Sequence, residues 1–194
     1  NPHVVGRWDF LAHWTRSAQG PFPGQDQFEY YDAVLNSSDY PGSAFYSLRR
    51  ILDEGRLRAS DRFIRGAFPV VSFTALSPSE ALRLMRWRRR HGYYSFEPYG
   101  IAIRKSFAAE SRFREVRYGM DEDYEAMNAE DRPFFQKAGS EVADWRPEAE
   151  WRHLGDIDLG LVPIEHLRVI TYRLPEAELL RDPYPYEVFS ILDG

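Results

Sequence analysis

Alternation with a period of two opens the chain. Trp8, Phe10, Ala12 and Trp14 share one face and Asp9, Leu11, His13 and Thr15 the other, which predicts a strand over 8–15. Segment 16–28, with Gly20-Pro21-Phe22-Pro23-Gly24, holds no regular period and reads as a long loop, its part 19–28 a candidate lid. A short helix is expected over 31–35. From 43 to 54, Phe45, Leu48, Ile51 and Leu52 line a helical face that stops at Gly55. The β-rich run 69–74 precedes Ser77-Pro78-Ser79-Glu80, which combines an N-cap serine, a proline in the first turn and a capping-box glutamate. That helix is expected to continue through Leu82, Leu84, Met85 and Trp87 to about 91, laying Arg83, Arg86 and Arg90 along one exposed stripe.

Further strands are expected over 99–105, 113–118, 148–154 and 168–173, with an acidic helical region over 121–137 and a short helix over 163–167. Without a regular βαβ rhythm, this order predicts an α+β fold with a mixed or largely antiparallel central sheet and flanking helices. A chain of 194 residues suits one domain over 1–194.

Composition narrows the chemistry. The chain has no cysteine, so disulfide scaffolds, zinc ribbons, iron-sulfur sites and thiol nucleophiles are excluded. A net charge of -5 disfavours whole-molecule attraction to nucleic acid or an anionic membrane, though not a local basic patch. Residues 1–15 include His3, Arg7 and Asp9 and lack the apolar run of a targeting peptide, and no window is apolar enough to span a membrane. The expectation is a soluble, cytoplasmic protein. Aromatic residues make up 15% of the chain, enough to serve both packing and stacking on planar ligands. Trp14, Phe73 and Trp151 are expected to support a site from behind, and Trp87 and the rings between Tyr93 and Tyr99 to offer stacking surfaces.

Three strand segments place polar residues at i and i+2: His13 with Thr15, Ser72 with Thr74, and Glu148 with Glu150 and Arg152. Positions i and i+2 of a strand lie about 6.6 Å apart and point the same way. A carboxylate beside a sugar ring stabilises the oxocarbenium-like state through which a glycosidic bond breaks. A neutral histidine can hold a ribose hydroxyl. Flanking Trp145 and Trp151 require burial, which would desolvate the acidic pair. The plainer alternatives are a hydrogen-bonded structural histidine, a solvated acidic strand face neutralised by Arg152, and an arginine-rich helix end facing water. Arg83, Arg86 and Arg90, with Trp87, are candidates for contact with phosphate or nucleic acid. His153 and His166 fit no metal-binding spacing, no glycine-rich phosphate loop is present, and Ser72 lacks the glycines of a nucleophile elbow.

Taken in order, Leu11-Ala12-His13-Trp14-Thr15, Ile51-Leu52-Asp53-Glu54-Gly55, Ser72-Phe73-Thr74, Tyr99-Gly100-Ile101-Ala102-Ile103-Arg104-Lys105, Glu148-Ala149-Glu150-Trp151-Arg152 and the run from Val162 to Ile170 resemble the AbiGi-type abortive-infection proteins of bacterial phage defence. The resemblance covers about 10–172. That family is in turn similar to the ADP-ribosyltransferase fold, particularly the DarT-type toxins that modify DNA. The resemblance implies NAD as substrate, with no metal, and cleavage of the nicotinamide-ribose bond. It implies contact of His13 with the adenosine ribose and a cleft also lined by Thr15 and Arg152. Ser72 or Thr74 would support the nicotinamide half, and Glu150, or Glu148 in its place, would be the catalytic glutamate. The acceptor would be a nucleic-acid base, a protein side chain or water. A chain of this kind without activity would instead be an antitoxin-like or interaction module, with a cognate toxin or antitoxin as partner.

Overall fold

The computed structural model describes residues 8–18, 20–38, 40–89, 92–139 and 146–193. Strand β1 (Phe10–Trp14) is followed by helices α1 (Gln27–Asn36) and α2 (Ala44–Glu54), the short β2 (Arg56–Leu57), β3 (Val70–Thr74) and α3 (Pro78–Leu82). A small hairpin of β4 (Trp87–Arg88) and β5 (Tyr93–Tyr94) leads to β6 (Gly100–Arg104), α4 (Lys105–Glu110), β7 (Phe113–Glu115) and β8 (Arg117–Gly119). Then come α5 (Asp121–Ala126), β9 (Phe135–Lys137), β10 (Glu150–Leu154), β11 (Ile157–Asp158), β12 (Leu167–Thr171), α6 (Leu174–Arg181) and β13 (Glu187–Ser190).

Seven strands form one sheet in the order β13-β12-β6-β1-β3-β10-β7. Every neighbouring pair is antiparallel except β12 and β13, so the sheet is mixed and the class is α+β. Alternation sorts the side chains. Leu11, Val71, Phe73, Ile101, Ile103, Leu167 and Val169 face a large core shared with Leu48 and Leu52 of α2, Ala108 of α4 and Leu180 of α6. Phe10, Ala12, Ala102 and Ile170 face a smaller cluster with Trp8, Trp14, Phe189 and Ile191.

Local signals hold where capping and periodicity agree. Ser43 caps α2 by accepting from the Tyr46 N–H, and Gly55 ends it in the left-handed region at φ 61°. Ser77 and Glu80 close a capping box on α3. That helix, however, stops at Leu82 instead of running to 91. Arginines three and four apart would repel along a helical stripe, whereas Trp87 and Tyr94 gain an edge-to-face cross-strand contact at 5.0 Å in the hairpin. The acidic region 121–137 is helical only over α5, because Pro133 sits in a tight 3-10 turn that feeds β9. The strand expected over 113–118 divides at Val116, with β7 in the main sheet and β8 paired in parallel with β9.

Gly100 pairs with Trp14 in the β1–β6 ladder, and a Cβ there would stand 2.3 Å from the carbonyl oxygen of His13. Backbone cannot yield as a flexible side chain does. Gly100→Ala is expected to lower stability by about 1–3 kcal/mol or more in urea unfolding, with the displacement falling on β1 beside His13.

Candidate functional site

Strand β1 meets β6 over five residue pairs but meets β3 at one pair, Ala12 with Thr74. On its far side β3 pairs with β10 along its whole length, from Thr74 with Glu150 to Val70 with Leu154. Beyond the single Ala12–Thr74 rung a cleft of about 470 Å³ opens. Its walls include His13, Ser72, Thr74, Glu148, Glu150 and Arg152, so six of the seven residues expected to bind or act on NAD come together.

Directly paired residues of an antiparallel sheet point to the same face. Ala12, Thr74 and Glu150 therefore share one face, as do Ser72 and Arg152. Glu150 Oε1 accepts from Ser72 Oγ at 2.9 Å and pairs with Arg152 Nε at 2.8 Å. Arg152 is only 1% exposed, which overturns the reading of this trio as a solvated face. Its Nη1 donates to the carbonyls of Pro133 and Phe135, and its Nη2 to Gln136 Oε1 and Glu150 Oε2. All five guanidinium N–H donors are thus engaged within the protein, and Arg152 acts on Glu150 rather than on a ligand.

Glu148 reaches the cleft differently from the way its spacing suggests. The strand begins at Glu150, and Glu148 ends a 3-10 turn, Arg146–Glu148. Between them Ala149 takes φ 45°, a left-handed conformation that a non-glycine residue adopts at a cost. Thr74 Oγ1 donates to the Glu148 carbonyl, and the Ala149 carbonyl accepts from the Ala75 N–H at 3.0 Å, which holds the kink. Burial, and next the charge of Glu150, push the Glu148 carboxyl up to about 7; Arg88 and Arg86 oppose this.

His13 belongs to the opposite face of β1, paired with Ile101, and its ring lies 5.7 Å from that of Phe73. It enters the cleft where β1 and β3 part. Nδ1 donates to the Ser72 carbonyl at 2.9 Å, and burial lowers the pKa of the imidazole, so the ring is neutral with Nε2 as an acceptor.

Other expected residues sit elsewhere. The Thr15 hydroxyl is buried between the carbonyls of Ala44 and Tyr99, at 2.9 and 3.0 Å, and ties β1 to the start of α2. The arginine stripe is not formed: Arg83 closes α3, Arg86 precedes the hairpin, and Arg90, like Trp145 and Gln19, lies outside the described residues. Residues 20–28 do not line the cleft; Phe22 and Pro23 pack instead on Arg50 of α2. Trp14 stands in the cleft wall, stacked on Phe96, rather than behind it. His153 and His166 pack on Phe113 and Phe107, and no group able to hold a metal ion occurs among the described residues.

The cleft wall also holds Arg16, Arg62, Phe63 and Gln136, which no sequence signal singled out, and Arg88 from the arginine-rich stretch 86–90 that was a candidate for phosphate contact. The first four lie in loops or edge segments with no periodic signal. Arg88 belongs to a hairpin hidden by a strong helix start.

Two outcomes follow from these contacts. Arg152→Met leaves the Glu150 carboxylate largely buried without its cation and is expected to cost about 3–5 kcal/mol; adding Glu150→Gln should recover part of that loss in a double-mutant cycle. Glu148 has a folded value above the ordinary 4.5, so the fold favours its protonated form. Its contribution is full below pH 4.5, is lost as the pH rises to about 7, and is constant above. Glu148→Gln should therefore gain on the wild type across that window, measured as urea midpoints against pH.

The chain matches no protein-family model, no curated protein and no solved structure.

Proposed function

We propose that the cleft binds NAD and breaks its nicotinamide-ribose bond, as an ADP-ribosyltransferase-like enzyme of the kind found in bacterial abortive-infection systems. The observation that carries this reading is the convergence of His13, Ser72 and Glu150, from three adjacent strands, on one concave site. A binding module with a decayed site would have no need to keep a buried guanidinium orienting a carboxylate in the wall of that cleft.

In this scheme the C–N bond breaks and its electron pair leaves with the nicotinamide nitrogen, which becomes neutral. The Glu150 carboxylate, aligned by Ser72 and Arg152, faces the positive charge that grows on the ribose carbon. Neutral His13 offers Nε2 to a hydroxyl of the adenosine ribose, and Thr74 borders the nicotinamide half. A lone pair of the acceptor then closes on the ribose carbon, and Glu148 takes the acceptor proton. A carboxyl pushed up to about 7 is suited to that exchange near neutral pH. The acceptor is a nucleic-acid base, a protein side chain or water, and a cognate antitoxin would restrain the activity. No described helix is long and apolar enough to cross a membrane.

Nicotinamide release from NAD by the purified protein tests the scheme. Glu150→Gln is expected to lower kcat by about 10²- to 10³-fold. Rates should rise as the pH passes through about 7, where Glu148 becomes the base form, and Glu148→Gln should flatten that rise. Equal rates in the wild type and Glu150→Gln, or no release with water, single-stranded DNA, RNA or protein as acceptor, would refute it.

A further inference from the structure

One wall of the cleft comes from a turn that the catalytic scheme does not use. The loop closed by the Ser60–Val70 bridge carries Arg62, Phe63 and Ile64 into the lining. Phe63 has φ 66°, a left-handed conformation that a bulky side chain rarely adopts, and Ala67 follows at φ 53°. Burial does not offset this strain, because Phe63 remains 70% exposed. The turn is nevertheless fixed. Arg65 pairs with Asp121 and Glu125, its guanidinium lies 4.0 Å from the centre of the Tyr124 ring, and two backbone hydrogen bonds, Ile64 N–H to Asp61 and Ala67 N–H to Ile64, close it.

The result is an aromatic face held at the cleft at a conformational cost, with the Arg62 guanidinium 4.9 Å from the ring centre. A flat apolar ring beside a cation matches a ligand that joins a flat heteroaromatic ring to an anionic group. That pairing is the chemistry of a nucleotide. Strain at a side chain that the fold leaves largely exposed at a cleft is the pattern expected where a residue is held for binding.

We propose that Phe63 and Arg62 form a nucleotide clamp, in which the Phe63 ring stacks on the base and the Arg62 guanidinium pairs with the adjoining phosphate. The clamp rests on the proposed NAD site only in sharing its cleft, and it names the residues that would select nucleotides over nucleosides.

The test separates a binding role from a structural one. Phe63→Gly removes the ring and the left-handed strain together, so it should raise Tm while weakening NAD, AMP and nicotinamide mononucleotide by at least about tenfold in calorimetric titration. Phe63→Trp should keep the affinity. Arg62→Gln should weaken AMP but leave adenosine unchanged. A lower Tm for Phe63→Gly would make Phe63 a packing residue and overturn the proposal. Unchanged affinities in that variant, or no binding of any of the three nucleotides by the wild type, would overturn it too. Phe63-dependent binding of AMP without cleavage of NAD would uphold the clamp and refute the enzymatic reading.

Discussion

The Arg152 guanidinium organises this structure. A buried cation is tolerable only when it is paired and each of its donors finds an acceptor. Here one carboxylate, one amide and two backbone carbonyls meet that demand. The acceptors come from separate places: Glu150 from β10 itself, and Pro133, Phe135 and Gln136 from the turn and strand that cross its face. One side chain therefore locks the segment 132–137 onto the sheet and fixes the direction of the carboxylate in the cleft. Packing alone would not specify that direction.

The two glutamates two residues apart occupy different electrical surroundings. Glu150 shares a buried ion pair and a hydroxyl hydrogen bond, while Glu148 is desolvated beside a like charge, with the charges of Arg88 and Arg86 opposing both effects. Neighbouring carboxyls in unlike surroundings can divide labour, one held by a cation and a hydroxyl and the other exchanging a proton. The left-handed Ala149 makes this separation possible, because a regular strand would have placed both side chains on the same surface with the same partners.

Much of this was legible in the chain. Where an amphipathic period coincided with a cap, as in α2 with Ser43 and Gly55, local and tertiary preferences agreed. The buried strands β3, β6 and β12 announced themselves through short β-rich runs, and β1 through its alternation. The polar pairs on β1 and β3 pointed to the cleft, though Thr15 turned out to serve the junction with α2. What was hidden depended on long-range partners. The hairpin at 87–94 rests on a cross-strand ring pair that competes with a well-capped helix, the stretch 132–137 departs from the expected helix and gives its acceptors to Arg152, and α6 with β13 was not anticipated. Arg62 and Phe63 carry no periodic signal, since their significance lies in backbone angles that sequence does not display.

The single rung between β1 and β3 has a mechanical meaning. It makes the seven-stranded sheet two unequal plates, β13-β12-β6-β1 and β3-β10-β7, joined along a seam. His13 stands on one plate and the Ser72–Glu150 pair on the other, bridged by one imidazole-to-carbonyl hydrogen bond. Widening the seam sacrifices one ladder pair, whereas shearing β3 from β10 would break five. A molecule seated in the gap would touch both plates at once and so act as a splint across a seam that the backbone ladder joins at a single pair.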